Sequence, residues 1–268
     1  MINNDVLYNR LQQQLNEALN SNHGVYDWFV IASNGSMNYG LDNEDSDIDS
    51  KLLVIPSLHD LVFNNRQNYL HEMSDNDEHV EIKDIALYMK TILKQNINFV
   101  ETLFAKCAIV NQKYKRYWHV LQEHREEIAR YDEKRACQCM LGMMKQKREQ
   151  MIKPAPSRQE NIDKIGYDAK SYHHLLRLYY FLNHYLDNMS YEDCLTKRRM
   201  DEQRILMAAK EGIYDLKLAI SDADLKIKIA ENIIANYMFN IDESEQKYIE
   251  DLIDGVVYDV IYDYVNGG

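Results

Sequence analysis

The chain of 268 residues is long enough for one large domain or two small ones. Hydrophobic residues form 46% of it, which permits a substantial core and argues against a wholly disordered chain. Only 9 glycines and 3 prolines occur, too few for the many tight turns of an all-β sandwich or barrel, so helices are favoured. The formal net charge of −12 argues against broad, non-specific binding to nucleic acid or anionic membranes, although a local basic patch is compatible with it.

The cysteines and the apolar runs indicate the cellular compartment. No two cysteines form a C-x-x-C motif, and Cys137 and Cys139 stand two apart in a helical pattern, where side chains point away from each other. We therefore expect all four cysteines to be reduced thiols. No apolar run reaches the length of about 18 residues that a membrane helix needs, and the N-terminal segment has no apolar stretch typical of a secretion signal. These features predict a cytoplasmic protein without membrane partners.

The first third of the chain has the pattern of a small α/β unit. Apolar residues at helical spacing predict an opening helix, and stretches rich in β-branched and aromatic residues predict the strands that follow it. The turn Asn34-Gly35-Ser36 ends the first strand, an acidic segment over 42–49 leads into the second, and Pro56 ends the second. The predicted elements are a helix over 6–19 and strands over 25–33, 51–55 and 79–83.

Helical spacing dominates the chain from Asp84 onward. The segment over 153–160 contains two prolines among polar residues and predicts a linker. We expect two domains, over 1–110 and over 111–268, of which the second is helical. Further helices are predicted over 168–188, 199–211, 223–239 and 243–264.

A group of residues near the first two strands points to phosphate and metal chemistry. Gly35 follows a strand, where a turn lets the backbone approach a ligand closely, and Ser36 offers a hydroxyl and an amide to a phosphate oxygen. Asp47 and Asp49 stand two apart at the start of the second strand, so period-two geometry puts both carboxylates on one face. Two such oxygen ligands suit Mg²⁺. Lys51 falls on the same face, where it can contact a phosphate or neutralise the carboxylates.

Each part of this pattern has an ordinary explanation when it is taken alone. An Asp-rich stretch is most often a solvated loop, and a single Gly-Ser is a common turn. The order of strand, Gly-Ser, spacer, Asp-x-Asp and apolar strand is far more specific, so we favour the functional interpretation.

These residues resemble the nucleotidyltransferases of the DNA polymerase β type, whose signature is Gly-Ser or Gly-Gly, a spacer and Asp-x-Asp. The resemblance implies an α+β fold, in which a small mixed-sheet domain like the polymerase palm is followed by an α-helical domain. It also implies a turn that holds a triphosphate, and carboxylates that bind two Mg²⁺ ions. A third carboxylate on a neighbouring strand usually completes such a site. Glu81 is the best match for it here, and Asp84 is the second.

A narrower resemblance is to a bacterial and phage family of nucleotidyltransferases associated with RNA repair. Gly35-Ser-Met-Asn-Tyr-Gly40 and Asp45-Ser-Asp-Ile-Asp-Ser-Lys51 are similar to its first motif. Lys94-Gln-Asn-Ile-Asn98 with Val100-Glu101-Thr-Leu-Phe104 resembles a second motif, of which a Gly and a Pro are replaced. The likeness implies an NTP as substrate, with ATP as the first candidate, and an RNA such as tRNA as a possible acceptor.

The pattern Gly166-Tyr-Asp-x-Lys170 with His174-Leu-x-Arg177-Leu178 resembles the most distinctive helical motif of that family. Lys170, His174 and Arg177 stand at i, i+4 and i+7, so they share one helix face. This face can close over the triphosphate of a nucleotide and balance its charge. The alternative is a solvated face paired with acidic neighbours.

Two other charged segments bear on RNA as a partner. The stretch 145–164 is rich in Lys and Arg, and it is either a surface for RNA or an exposed helix end and linker. The last helix is strongly acidic, so an RNA must approach from another side.

The sequence thus predicts a Mg²⁺-dependent nucleotidyltransferase that joins an NMP to an acceptor hydroxyl and releases pyrophosphate. The family resemblance favours RNA as the acceptor, whereas the acidic net charge favours a protein or a small molecule. Two other hypotheses stay open. One is a nucleotide- or partner-binding protein of the same fold that performs no turnover. The other is a helical RNase, because Arg177 and His184 fit a loose Arg-His spacing of such enzymes.

Overall fold

The computed structural model divides the chain into two compact units. The first comprises Met1–Tyr131 with Asp242–Gly268, and the second comprises Asp132–Ile241. The domain boundary predicted near residue 110 differs from this division, because two further helices and the last helix of the chain pack within the first unit. The described residues are 2–21, 27–42, 46–65, 67–73, 78–153 and 159–267, with the backbone alone for 160 and 161.

A five-stranded mixed sheet forms the centre of the first unit. The strands lie in the order β3-β4-β2-β1-β5. β2 and β4 run parallel, and the other neighbouring pairs are antiparallel. The parallel register places Lys51 opposite Glu81 and Leu53 opposite Lys83. The strands are β1 (Asp27–Ser33), β2 (Ser50–Ile55), β3 (Asn68–Glu72), β4 (His79–Asp84) and β5 (Ala108–Val110).

Helices complete the first unit on both sides of this sheet. The last helix of the chain, α13, packs against α3, α5 and β2. Short 3-10 helices span Gly35–Met37, Glu101–Phe104 and Gln112–Tyr114. The α-helices of this unit are α1 (Asn4–Asn20), α2 (Leu58–Phe63), α3 (Ile85–Ile92), α4 (Ile97–Val100), α5 (Lys115–Glu123), α6 (Arg125–Arg130) and α13 (Glu243–Val265).

The two faces of the sheet have different chemistry because side chains alternate along a strand. One face is apolar and packs against the apolar stripe of α1, in a cluster that includes Leu7, Leu11, Leu15, Leu52 and Ile82. Each such side chain contributes about 1.5–3 kcal/mol when it is fully buried. The residues between them on β2 and β4 point to the opposite face, which carries the charged groups described below.

The second unit is a helical bundle built around one buried helix, α9. It packs against α7, α11 and α12, and most of its side chains are buried. The side chain of Asp168 caps its N-terminus by accepting the amide of Lys170. The helices of this unit are α7 (Glu133–Gln150), α8 (Gln159–Ile165), α9 (Ala169–Leu186), α10 (Tyr191–Thr196), α11 (Met200–Lys210) and α12 (Leu216–Asn236).

The predicted α+β fold class is confirmed, and the short elements α2, β3, β5, α8 and α10 were not predicted. The burial pattern of α2, β3 and β5 shows no clear alternation of buried and exposed residues. The helix predicted from residue 223 begins earlier, at Leu216, as α12. Apolar residues in its first two turns are exposed, so they do not follow the spacing of a buried helix face. Residues 25–26, 43–45 and 154–158, which belong to the predicted first strand, acidic segment and linker, lie outside the described residues.

Two of the predicted general properties are addressed by the structure. All four cysteines are free thiols. Among the described residues, no helix combines the length and the apolar character that crossing a bilayer requires.

Candidate active site

The Gly-Ser turn directly follows β1 and has a fixed, irregular backbone. Gly35 has φ of +71°, the left-handed region that L side chains rarely adopt. A Cβ atom at Gly35 would have no heavy atom within 4 Å, so its backbone borders open space. The amide of Asn38 donates to the Gly35 carbonyl and the amide of Leu41 to the Ser36 carbonyl. The hydroxyl of Ser36 makes no hydrogen bond to any described residue and can donate to a ligand.

Buried polar groups hold this turn against the segment that precedes β5. The Asn38 amide group donates to the Ser33 carbonyl at 2.9 Å, and its oxygen accepts the Ser33 hydroxyl at 3.0 Å. The same Asn38 oxygen accepts the amide of Lys106, and the Ser33 hydroxyl accepts the amide of Cys107. Because Ser33 and Asn38 are buried, these bonds fix the turn by pairing groups that would otherwise be costly to bury.

The two acidic residues of the Asp-x-Asp pattern precede β2, which begins at Ser50. They were expected at the start of the second strand, predicted over 51–55, and in the structure Asp49 immediately precedes that strand. Asp47 is exposed. The carbonyl of Asp49 accepts the amide of Asn34 at 3.0 Å, which ties this residue to the Gly-Ser turn. Its carboxylate accepts the amide of His79 at 3.1 Å, and 49% of its side chain is exposed, so it can accept a further ligand.

Glu81 lies on the polar face of the sheet, on β4, which pairs with β2, the strand that follows Asp49. One oxygen of its carboxylate is 2.8 Å from the Lys51 ammonium and the other is 3.1 Å from the Lys83 ammonium. Burial alone would raise the pKa of the Glu81 carboxyl, but the two ammonium groups outweigh burial and hold this pKa below its usual value. Glu81 is therefore ionised at neutral pH.

The two lysines are themselves held by an aromatic ring. The ammonium of Lys51 lies 4.2 Å from the centre of the Phe99 ring and that of Lys83 lies 4.4 Å from it. Only 3% of the Lys51 side chain is exposed. The ammonium of Lys51 thus contacts Glu81 and the Phe99 face, whereas the carboxylates it was expected to neutralise were those of Asp47 and Asp49.

Asp84, the second candidate for the third carboxylate, has a different environment. It is three residues from Glu81, so the two side chains point to opposite faces of β4. Its carboxylate is fully buried and caps α3 by accepting the amide of Leu87 at 2.8 Å. Glu81 is the acidic residue of β4 that shares a sheet face with Lys51.

The donors of this face fit a hard divalent cation in their chemistry. Asp47, Asp49 and Glu81 offer carboxylate oxygens alone, which are the ligands that Mg²⁺ prefers. Within the described residues, no three His, Cys, Asp or Glu side chains lie close enough together to hold one ion as they stand. Both oxygens of the Glu81 carboxylate contact lysines.

The second unit contains the cationic face predicted on α9. Lys170 is exposed, His174 is half-buried and Arg177 is buried. Burial, followed by the charges of Arg177 and of neighbouring groups, holds the pKa of His174 well below its usual value. Lys147 on α7 is one of these groups, and the sequence pattern did not associate it with α9. The face is thus a cluster of positive charge around a neutral imidazole.

His173 predicts a loss of stability in acid. Its Nδ1 contacts the Leu206 carbonyl at 2.9 Å, and burial, despite this bond, lowers its pKa from 6.5 to about 4. The folded protein therefore binds fewer protons than the unfolded chain between these values, so stability falls as the pH drops through this window. We expect His173 to cost about 2 kcal/mol between about pH 7.5 and about pH 5. The cationic groups that also lower this pKa are Arg177, Lys210 and Arg198.

Urea denaturation at the two pH values measures this effect. His173→Asn keeps a donor near the position of Nδ1 and has no proton to gain, so its stability should change less with pH than that of the wild type. Equal pH dependence of the two proteins would contradict the assignment.

Other candidate residues are paired within the second unit. His184 contacts Glu202, which is buried, at 3.2 Å. In the basic stretch 145–164, Lys145 pairs with Glu231 at 2.6 Å and Arg148 with Asp224 at 2.7 Å. Both basic side chains therefore pair with acids of α12.

Three residues near the site were missed as functional candidates from the sequence. Lys83 stands two residues after Glu81, a spacing that puts both on one strand face. Asn38 holds the Gly-Ser turn from within, three residues after Gly35, and Glu101 holds it from 66 positions away. Glu101 was noted only as part of a resembling motif, and no local pattern links it to Gly35.

The family model that matches most of the chain gives its class: a nucleotidyltransferase of the DNA polymerase β superfamily. The model of the RNA repair pathway DNA polymerase beta family, RlaP, matches residues 8–253. The chain belongs to this family. Among solved structures, it is similar to a nucleotidyltransferase-like protein from Exiguobacterium sibiricum 255-15, with 11% identity, coverage of 95% of this chain and 91% of that chain, and a TM-score of 0.30. No curated protein shows a significant match.

Proposed function

We propose that the protein transfers a nucleoside monophosphate from an NTP to an acceptor hydroxyl in a Mg²⁺-dependent reaction that releases pyrophosphate. The observation that carries this proposal is the hydrogen bond from the Asn34 amide to the Asp49 carbonyl, which joins the Gly-Ser turn to the acidic pair. It brings the Gly-Ser turn next to Asp49, and a turn that binds phosphate beside carboxylates is the combination that phosphoryl-group transfer requires. ATP is the first candidate for the NTP.

The turn binds the phosphates in this proposal. The Ser36 hydroxyl has no partner among the described residues, and the open space at Gly35 allows close approach of a phosphate oxygen. The bonds of Asn38 to Ser33 keep the turn in place, so little ordering is needed when the nucleotide binds.

The carboxylates hold the metal in this proposal. Asp47 and Asp49 are the accessible ligands, and Glu81 is the third, available when Lys51 and Lys83 release one of its oxygens. Bound Mg²⁺ supplies charge neutralisation at the phosphates and lowers the pKa of the acceptor hydroxyl. Asp49, with half of its side chain exposed, is placed to accept the hydroxyl proton.

In this proposal the cationic face of α9, formed by Lys170, His174 and Arg177, also binds phosphate. Lys170 is exposed, and Arg177 and Lys147 add positive charge around His174. Because His174 is neutral at pH 7, it can act as a hydrogen-bond donor or acceptor toward a phosphate or a ribose hydroxyl. Family membership favours an RNA end, such as that of a tRNA, as the acceptor. A protein and a small molecule are the alternatives.

Transfer of label from each α-³²P-NTP tests the proposal. The protein is incubated with Mg²⁺ and, in separate tubes, with total RNA, cell protein or a small-molecule extract. We expect label in one fraction, from the α position and not from a γ-labelled NTP, and none with the Asp47→Asn/Asp49→Asn variant. Absence of transfer to every fraction, despite measurable NTP binding, would contradict the enzymatic function.

A nucleotide-binding protein without turnover is the second candidate. The observation that favours it is that both Glu81 oxygens contact lysines, which leaves Asp47 and Asp49 as the accessible acids. The same assay separates the two candidates, because this protein would bind the NTP tightly and never transfer its label.

A further inference from the structure

A buried carboxylate contacts the Gly-Ser turn from inside the first unit. Glu101 begins the 3-10 helix Glu101–Phe104, and 1% of the residue is exposed. One of its oxygens accepts the amide of Gly35 at 3.1 Å. The chain separation of these residues, 66 positions, makes this a long-range contact that the fold has to build.

The segment that carries Glu101 is itself held in place. The Thr102 hydroxyl makes a close hydrogen bond with the Tyr88 hydroxyl, and the side chain of Gln122 donates to the Leu103 carbonyl at 2.9 Å. The residues Glu101 to Phe104 are all buried. Since neighbouring residues are fixed on both α3 and α5, the carboxylate has little freedom to leave the Gly35 amide.

The hydrogen bond from the Gly35 amide to Glu101 determines which groups of the turn can bind a phosphate. An amide that donates to Glu101 points into the protein and is not directed at a ligand on the outer side. The neighbouring Ser36 hydroxyl has no partner among the described residues and stays available. A buried carboxylate is costly unless it is hydrogen-bonded, so the bond to Gly35 also stabilises Glu101.

We propose that Glu101 is a positioning residue for nucleotide binding: it holds the Gly35 amide inward and keeps the left-handed turn that presents Ser36 to the phosphates. This inference rests on the proposed function. The acceptor oxygen of Glu101 performs this role, and the negative charge of its carboxylate is not required. A charge near a triphosphate opposes binding, so an uncharged acceptor of the same length serves at least as well.

Four variants and two readouts test this role. Glu101→Gln keeps an acceptor at the same reach, Glu101→Asp keeps the charge and shortens the side chain, and Glu101→Ala removes both. Glu123→Ala, at an exposed acid of the same unit, is the control. The first readout is the affinity for ATP with Mg²⁺ by calorimetry. We expect about tenfold weaker binding for the Ala and Asp variants, and binding within about threefold of the wild type for the Gln and control variants.

The second readout observes the Gly35 amide without any ligand. With ¹³C-carbonyl Asn and ¹⁵N-Gly labels, only the Asn-Gly pairs of the sequence give signals, and these are Asn34-Gly35 and Asn266-Gly267. The Gly35 amide should exchange slowly in the wild type and the Gln variant, and faster in the Asp and Ala variants. If the Ala variant fails to fold, the comparison of Gln with Asp decides.

The outcomes separate the two proposals. If the wild type binds no nucleotide, both the proposed function and the proposed role of Glu101 are contradicted. If the wild type binds ATP and the Asp and Ala variants bind it equally well, the role of Glu101 alone is overturned. Weak binding by the Gln variant, with a protected Gly35 amide, would also overturn it, because the acceptor would then be insufficient.

Discussion

Asn in place of Asp49 is expected to lower the rate of nucleotidyl transfer by at least about a thousandfold while the protein stays folded. The amide oxygen of Asn can still accept the amide of His79, which the Asp49 carboxylate accepts at 3.1 Å. The substitution therefore preserves the local structure and removes one negative charge. With half of its side chain exposed, Asp49 is not a stabilising core residue.

The rate of α-label transfer measures this effect, and the affinity for Mn²⁺ is an independent readout. Asp259→Asn on α13 is the matched control, since it removes one exposed carboxylate of the same unit. We expect weaker Mn²⁺ binding for Asp49→Asn and unchanged binding for the control. An Asp49→Asn protein with more than about a tenth of the wild-type rate would exclude this carboxylate from catalysis.

The Gly-Ser turn and its acidic pair could be predicted from sequence because they are local. Each of its features is recognisable within about 20 residues of sequence. These features are a strand that ends at Ser33, a glycine that needs a positive φ, and acids just before an apolar strand. The expected face of Glu81 also follows from alternation along β4. These features depend on short-range geometry, so one sequence is enough to identify them.

The partners of these residues could not be predicted, because they depend on strand register and on distant packing. Lys51 contacts Glu81 only because β2 and β4 run parallel in one particular register. Phe99 reaches both lysines from α4, which follows β4 after a further helix. Glu101 meets Gly35 across 66 positions. No periodicity in the sequence specifies such pairs.

The division into units shows the same limit. Helical spacing predicted α13, and its buried residues Ile249, Val256 and Val260 form an apolar stripe. The stripe does not say which partner covers it. In the structure α13 packs with α3, α5 and β2, and Asp263 pairs with Arg116 at 2.6 Å. The assignment of the last helix to the first unit thus required the three-dimensional contacts.

Removing Glu81 is expected to destabilise the protein more than any other single change at the site. Lys51 is nearly fully buried, and in Glu81→Ala its ammonium loses the carboxylate that it contacts at 2.8 Å. An uncompensated charge in such a position typically costs about 3–5 kcal/mol, and its contact with the Phe99 ring offsets only part of this. Urea denaturation at neutral pH measures the loss.

A double variant separates this structural role of Glu81 from a role in the reaction. Lys51→Met/Glu81→Gln replaces the buried pair by groups of similar size that need no charge compensation, so we expect it to recover about 2 kcal/mol or more relative to Glu81→Ala. The exposed pair of Lys247 and Asp251 on α13 is the control. Matched single and double substitutions there should change the free energy of unfolding additively, with no measurable coupling between the two residues.

If Glu81 is also the third carboxylate, the stable double variant stays inactive, because it lacks the metal ligand. If the double variant is as stable as the wild type and transfers label at the wild-type rate, Glu81 serves only to neutralise Lys51. Two carboxylates, Asp47 and Asp49, must then be sufficient for the chemistry.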